Sequence, residues 1–259
     1  MPIAIALLAA AAATTPLAPS GKWTVDYRED MCVASRIFGT APAVTTLAIQ
    51  PSIVMNSTAA NLLLVVPRTS DSGIRTGTAT VTLQPSGVKA KVDYTSWILK
   101  GTALRSYYVP VDAAFGVAMK AASGIDFQFG ATSVSLTASK FEPAVSALTV
   151  CNADLLKSWG VDVATSTEPE PVASPATWFN NDDYPGDARS GSEYGRVVVV
   201  LTVATDGKPS ACRVVQSSRS KSLDDATCRI ATIRGRYKPF AGPSLRATVL
   251  SVRWQLGDY

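Results

Sequence analysis

The last third of the chain changes between the hydrophobic period of strands and that of a helix. Residues 196–203 form a nearly continuous apolar run rich in β-branched side chains, which favours a buried strand. Asp206 and Gly207 follow as a turn dipeptide typical of hairpins, and residues 211–216 have strand character again. This pattern predicts a β-hairpin over residues 196–216.

The residues after this hairpin have a helical period. Ser222 is a residue type that caps helices. Apolar side chains then recur every three or four residues, as one face of a helix requires; they are Leu223, Ala226, Ile230, Ile233 and Tyr237. The pattern predicts a helix that packs this stripe on the hairpin.

The final segment, residues 246–256, returns to period two. Its apolar positions lie on one side of the predicted strand; they are Leu250, Val252, Trp254 and Leu256. The C-terminal part, residues 179–259, is therefore predicted to be a small domain with the order strand, strand, helix, strand, in which the helix covers an antiparallel sheet.

Residues 22–160 predict a separate, mostly-β domain. Short segments rich in Val, Leu, Ile and Thr are bounded by turn residues; they are 23–27, 45–49, 61–66, 78–83, 88–94, 107–111, 125–129 and 132–136. Two helices are predicted, over 111–122 with Asp112 as its cap and over 143–159. The fold class of the whole chain is thus α+β.

Two further segments complete the predicted organisation. Residues 161–178 are rich in Pro and Glu and predict an extended, mobile linker. Residues 1–20 predict a secretory signal, because the apolar run over 3–13 is shorter than the roughly 20 residues that a spanning helix needs. Ala11 and Ala13 offer a small-residue cleavage site. The alternative is a retained inner-membrane anchor.

The four cysteines agree with an oxidising compartment. An even number of cysteines in a secreted chain suggests two disulfides, for which the sequence allows three pairings. We expect Cys32–Cys151 and Cys212–Cys228, because each pair then lies within one predicted domain.

The composition of the chain limits which catalytic, metal and nucleic-acid sites it can form. The chain has no histidine, so the usual triads and Cys/His metal sites cannot be built, and no metal site or cofactor is predicted. Residues 1–174 carry 12 basic and 12 acidic side chains and residues 175–259 carry 12 and 8, so the net charge of +4 belongs to the C-terminal part. This mild excess predicts a solvated surface and no nucleic-acid partner.

Three polar patterns in the sequence are candidate sites. Ser218 and Lys221 have the Ser-x-x-Lys spacing of acyl enzymes but lie between a hairpin and a helix, so a polar turn is expected. Asp182 with Asp183 predicts a solvated turn, with a weak cation site as the alternative. Asp224 with Asp225 suits a helix start. No enzyme activity and no small-molecule substrate are predicted.

The order and spacing of several C-terminal motifs closely resemble the TonB C-terminal domain family. These motifs are Tyr184-Pro185, Gly191, residues 195–203, Asp206-Gly207, residues 214–218, Leu223-Asp224, Tyr237-Lys238-Pro239, Gly242-Pro243 and Trp254-Gln255-Leu256. The resemblance implies a β-β-α-β fold and a protein-binding role in the periplasm of the Gram-negative envelope. The start and end of residues 22–160 resemble, more weakly, periplasmic proteins of the invasion-associated locus B type.

The resemblance also implies where a partner binds. An extended peptide, such as the N-terminal segment of an outer-membrane transporter or part of another envelope protein, would add as a strand to the open sheet edge. The expected docking strand is 246–256, with the candidate residues Arg246, Thr248, Leu250, Arg253 and Gln255. The alternative is a purely structural edge, covered by the N-terminal domain or by a second copy.

Two functions are compatible with these expectations. The first is a periplasmic adaptor that binds partner peptides through its C-terminal part. The second is an atypical energy transducer in TonB-dependent transmembrane transport that retains its N-terminal anchor. The chain has no histidine, and its Pro/Glu segment is short, whereas the family's transducers have a functional histidine in a membrane helix and a long Pro-rich arm.

Overall fold

The structure is a computed structural model that describes residues 15–42, 44–53, 59–68, 73–138, 140–161, 168–242 and 245–256. Residues 1–14 of the predicted signal segment lie outside these residues. Among the described residues, no helix is both long enough and apolar enough to cross a membrane.

The described residues form an α+β structure, as predicted. The strands are β1 (Thr24–Tyr27), β2 (Cys32–Phe38), β3 (Thr45–Pro51), β4 (Ala60–Pro67), β5 (Arg75–Gln84), β6 (Lys89–Ile98), β7 (Leu104–Val111), β8 (Gly124–Phe129), β9 (Thr132–Thr137), β10 (Gly195–Ala204), β11 (Pro209–Gln216) and β12 (Leu245–Trp254). The α-helices are α1 (Ala113–Met119), α2 (Glu142–Ser158), α3 (Gly186–Ser190) and α4 (Lys221–Arg234).

Strands β1 to β9 form one sheet, in the order β1-β2-β3-β4-β7-β6-β5-β8-β9. Buried and partly exposed residues alternate along β4, as expected for a strand with one face in the core. Asp112 caps α1 as predicted, because its side chain accepts a hydrogen bond from the Phe115 backbone N–H. Strand β2 has no counterpart among the predicted strands, because its polar residues interrupt the apolar pattern.

By Cα proximity the chain divides into two compact units. One comprises Met1–Thr24, Ser35–Ile49 and Asn61–Ala144, and the other comprises Val25–Ala34, Gln50–Ala60 and Val145–Tyr259. The second unit thus combines the C-terminal part with two short early segments and most of α2. These limits differ from the predicted boundary near residue 160, and the predicted domains stay a prediction.

The C-terminal sheet consists of β11, β10 and β12 in that order, and both pairs are antiparallel. Helix α4 packs on β10 and β11. Its stripe contributes Leu223, Ala226 and Ile230 to a core that also holds Val199 and Leu201 of β10. The predicted order strand, strand, helix, strand is therefore present.

The ends of α4 differ from the prediction. The cap is Ser220, whose hydroxyl accepts from the Leu223 backbone N–H, rather than Ser222. The helix ends at Arg234, so Ile233 lies at its exposed end and Tyr237 lies beyond it. Tyr237 is nevertheless buried, because its ring packs edge-on against Trp178. The spacing of apolar residues alone does not distinguish a position within the helix from a buried position in the loop that follows.

Both predicted disulfides are confirmed. Cys32 pairs with Cys151, and Cys212 on β11 pairs with Cys228 on α4. The second bond fastens the helix to the sheet that it covers. The hairpin turn also contacts the segment after α4, since the Tyr237 backbone N–H donates to the Gly207 carbonyl at 2.8 Å.

Candidate functional site

Strand β12 is an edge of the C-terminal sheet. It pairs with β10 over ten residues, from Gly195 opposite Trp254 to Ala204 opposite Leu245, and the register has no shift. Among the described residues, no second strand pairs with β12. A long, regular edge strand offers its outward N–H and C=O groups as a template for another strand.

The opposite edge, β11, is less regular. Its pairing with β10 shifts register twice, between Val198 and Val199 and between Thr202 and Val203. Such irregularities locally disrupt a ladder and increase its twist, which makes an edge a poorer template. Its residue Cys212 is also tied to α4. Of the two edges, β12 therefore has the better geometry for strand addition.

The predicted docking residues divide between the two faces of β12. Thr248 and Leu250 are buried on the face that α4 shares, whereas Arg253 on the other face is exposed. Gln255, one residue beyond the end of β12, is also exposed. Arg246 is half-buried, with its guanidinium 3.9 Å from the centroid of the Phe240 ring. Thr248 and Leu250 would therefore contact a docked strand mainly through their backbone.

Trp254, at the end of β12, contacts helix α4. Its indole N–H donates to the Thr227 hydroxyl of α4 at 2.8 Å. Phe179 and Tyr184 pack edge-on against its ring, at centroid distances of 6.0 and 5.4 Å. Helix α4 therefore covers β10 and β11, while residues that precede β10 cover part of β12.

The second half of the predicted linker belongs to this layer. The Thr248 hydroxyl donates to the Glu168 carboxylate at 3.0 Å. Further along, the Lys238 backbone N–H donates to the Glu170 carbonyl at 2.8 Å, and the Val172 N–H donates to the Arg236 carbonyl at 2.9 Å. The prediction of a mobile spacer does not hold for residues 168–178, because this polar segment finds partners in a distant part of the chain.

Burial changes the acidity of two groups in this layer. It raises the pKa of the Glu168 carboxyl, an effect that the hydrogen bond from Thr248 partly opposes. Burial is also the main reason that the pKa of Tyr237 is raised, and the nearby Glu168 charge adds to it. Composition places Glu168 only in an extended, mobile linker, so the sequence does not predict its contact with Thr248.

The face of the C-terminal sheet that points away from α4 is also covered. Val198 and Val200 lie on that face and are buried. On the same face, the Gln216 amide donates to the Asp30 carboxylate at 2.7 Å, and the Arg213 guanidinium donates to the Trp159 carbonyl. Segments from early in the chain and from the end of α2 thus contact the sheet within the second unit.

The polar patterns from the sequence have structural partners. Arg234 donates two hydrogen bonds to the Asp183 carboxylate, at 2.6 and 2.7 Å. Asp183 is therefore paired, whereas the sequence predicted a solvated turn. The Ser218 hydroxyl donates to Asp224 at 2.8 Å, whereas the Lys221 ammonium pairs with Asp225. Lys221 is therefore not directed at Ser218, and this segment is the polar turn that was expected.

The segment that contains the hairpin, helix α4 and strand β12 also matches a known protein family. Residues 180–256 match the family described as Gram-negative bacterial TonB protein C-terminal. The resemblance predicted from the motifs is confirmed for this TonB-like segment. The match covers less than a third of the chain, and the chain matches no curated protein and no solved structure. The match indicates a role in TonB-type protein interactions of the Gram-negative envelope.

Proposed function

We propose that this protein is a periplasmic adaptor that binds an extended peptide of an envelope partner as a fourth strand beside β12. The observation that carries the proposal is the unbroken ten-residue register of β12, whose outward edge has no strand neighbour among the described residues. Each main-chain hydrogen bond that a docked strand adds would pair a backbone group on the outward edge of β12.

The match over residues 180–256 supports an envelope partner, and the N-terminal segment of an outer-membrane transporter is the first candidate. The two disulfides support a periplasmic location, because such bonds persist in oxidising compartments. The role that we propose is binding without catalysis, because strand addition forms main-chain hydrogen bonds and breaks no covalent bond.

The exposed side chains of β12 would add specificity. Ser251 and Arg253 are exposed on the face of β12 that points away from α4. On the other face, side chains of a docked strand would lie near Glu168, which binds Thr248. Alternate side chains of the peptide therefore enter different surroundings, as strand addition requires.

An amide NMR titration of the oxidised full chain tests this proposal. The titrant is a transporter's N-terminal coupling peptide, with a scrambled peptide of the same composition as the control. We expect saturable shifts in Leu245–Trp254 and in its neighbour β10. Shifts confined to β11, or equal shifts with the scrambled peptide, would contradict docking at β12.

The alternative of an anchored energy transducer depends on residues 1–20, of which 1–14 lie outside the described residues. The mass of the mature protein from a Gram-negative host decides between the two. Loss of the first 13 to 20 residues supports the periplasmic adaptor, whereas an intact N-terminus in the membrane fraction supports the transducer.

A further inference from the structure

A groove that includes hydroxyl and carboxylate side chains lies on the sheet of the first unit, far along the chain from the proposed docking strand. It has a volume of about 460 Å³ and is lined by residues 76–78 of β5, residues 93–95 of β6, and Tyr108 and Pro110 of β7. Small-molecule sites commonly measure about 300–1,000 Å³. The groove is therefore large enough for a small ligand.

The strand register places most of the lining side chains on one face. Thr76 lies opposite Thr95, which in turn lies opposite Tyr108, so these three form a row across the sheet. Thr78 and Asp93 form the next row on the same face. Three threonine hydroxyls, one carboxylate and the phenol ring of Tyr108 thus lie on a single surface.

The other face of the same strands is occupied by the core. Tyr94 packs against Tyr107 and Phe129, with ring centroids 5.7 and 5.0 Å away. Gly77, opposite Tyr94, leaves room for that ring, since a Cβ added to Gly77 would lie 3.1 Å from it. This aromatic cluster packs against the strands on the face opposite to the row of Thr76, Thr95 and Tyr108.

Two hydrogen bonds hold the groove's side chains. The Tyr108 hydroxyl donates to the Asn61 amide oxygen at 2.7 Å, which fixes the half-buried tyrosine ring. The Thr78 hydroxyl donates to one oxygen of the exposed Asp93 carboxylate at 3.2 Å. A ligand would therefore meet an arrangement that is largely formed in advance.

The chemistry of the lining selects a class of ligand. Its one charged side chain, Asp93, is negative, which disfavours phosphates and other anions. Threonine hydroxyls both donate and accept hydrogen bonds, and a carboxylate accepts several. Sugar hydroxyls are complementary to both groups, and the apolar face of a sugar ring can pack on an aromatic ring.

We propose that this groove binds a neutral oligosaccharide, with Asp93 accepting hydrogen bonds from ring hydroxyls and Tyr108 supporting one sugar face. All of its residues belong to the first unit, so the site is independent of strand addition at β12. The protein would then recognise a glycan and a peptide at two separate sites.

The test is an amide NMR titration of the oxidised full chain with three neutral trisaccharides at millimolar concentration. These are β-1,4-linked glucose, β-1,4-linked N-acetylglucosamine and α-1,4-linked glucose. We expect saturable shifts in the amides of residues 76–78, 93–95, 108 and 109 with at least one of them. Unmoved amides with all three sugars, or shifts at these residues only with a diamine such as cadaverine, would overturn the proposal.

Variants then separate binding from folding. Tyr108→Ala should weaken sugar binding roughly tenfold, whereas Tyr108→Phe keeps the ring and should retain most of it. Asp93→Asn should also weaken binding, and it changes an exposed side chain while leaving an amide oxygen that can accept from Thr78. Asp126→Asn is the matched control, because Asp126 lies on the same face, opposite Thr82, outside the groove. Unchanged affinity in both Asp93→Asn and Tyr108→Ala would contradict the assignment.

Discussion

The carboxylate of Glu168 accepts a hydrogen bond from the hydroxyl of Thr248, across 80 residues of sequence. Thr248 lies in the middle of β12, on the face that α4 shares, and is buried. The segment that starts at Glu168 is therefore part of the layer that covers the sheet, although it precedes the family match over residues 180–256.

Stability should depend on the ionisation of Glu168. Because burial raises its pKa, the folded state favours the protonated form more than the unfolded state does. This contribution to stability is fully present below the ordinary glutamate pKa and is lost as the pH rises through the raised value. Glu168→Gln should then match the wild type in acid and be more stable than it at neutral pH, as measured by urea unfolding at both pH values.

Glu170→Gln provides the matched control for this prediction. Glu170 lies in the same segment, but its carboxylate is exposed and pairs with Lys238 at the surface. We expect this variant to lack the gain in stability at neutral pH. The account of Glu168 would be wrong if the two variants had the same pH dependence.

Asp183→Asn should destabilise the C-terminal part. The Asp183 side chain is only 8% exposed and receives two hydrogen bonds from Arg234. Charged hydrogen bonds of this kind contribute about 1–3 kcal/mol, so a loss of that size is expected in the free energy of unfolding at neutral pH. Asp182→Asn, on the exposed neighbour, should have little effect.

The same pair predicts a response to acid. The hydrogen bonds from Arg234 hold the pKa of Asp183 below its ordinary value. Its contribution is therefore present above the ordinary aspartate pKa and is lost as the pH falls through the lowered one. The difference between Asp183→Asn and the wild type should shrink in acid. A difference that stays constant down to strongly acidic pH would contradict the ionic account.

Gly207→Ala should destabilise the hairpin through a steric clash. Gly207 has a φ of +82°, and an added Cβ would lie 2.0 Å from the Tyr237 carbonyl oxygen. Gly130 also has positive φ, but an added Cβ would have open space. Gly130→Ala should therefore show only the conformational cost of a left-handed L-residue, about 1–2 kcal/mol, and Gly207→Ala a clearly larger loss. Equal losses in thermal unfolding would rule out the clash.

The two disulfides should contribute unequally. Cys212 and Cys228 are 16 residues apart, and Cys32 and Cys151 are 119 apart. In the chain-entropy model, replacing the first pair by alanine costs about 3 kcal/mol and replacing the second about 5 kcal/mol. Urea unfolding of the two double variants measures this order. A larger loss for Cys212→Ala with Cys228→Ala would show that fastening α4 to β11 matters more than loop length.

Local patterns predicted the C-terminal elements well. The hairpin at Asp206-Gly207, the apolar stripe that begins at Leu223 and the alternation of Leu250, Val252 and Trp254 all depend on neighbours in sequence. The cysteine pairing followed from the two-part organisation alone. These features depend on spacing, which the sequence states directly.

Contacts between distant segments could not be predicted in this way. The Glu168–Thr248 hydrogen bond and the Gln216–Asp30 hydrogen bond join segments that show no shared pattern. A Pro/Glu-rich stretch has the composition of a linker whether or not a partner binds it. The groove around Asp93 could not be predicted from the sequence either, because it depends on the pairing register of three strands.

Hydrogen exchange of the β12 amides tests strand addition most directly. The oxidised full chain is compared with and without a saturating transporter coupling peptide. The account predicts that every second amide of Leu245–Trp254, the set not bonded to β10, gains protection when the peptide is bound. Peptide binding that leaves these outward amides unprotected, or that protects the outward amides of β11 instead, would contradict it.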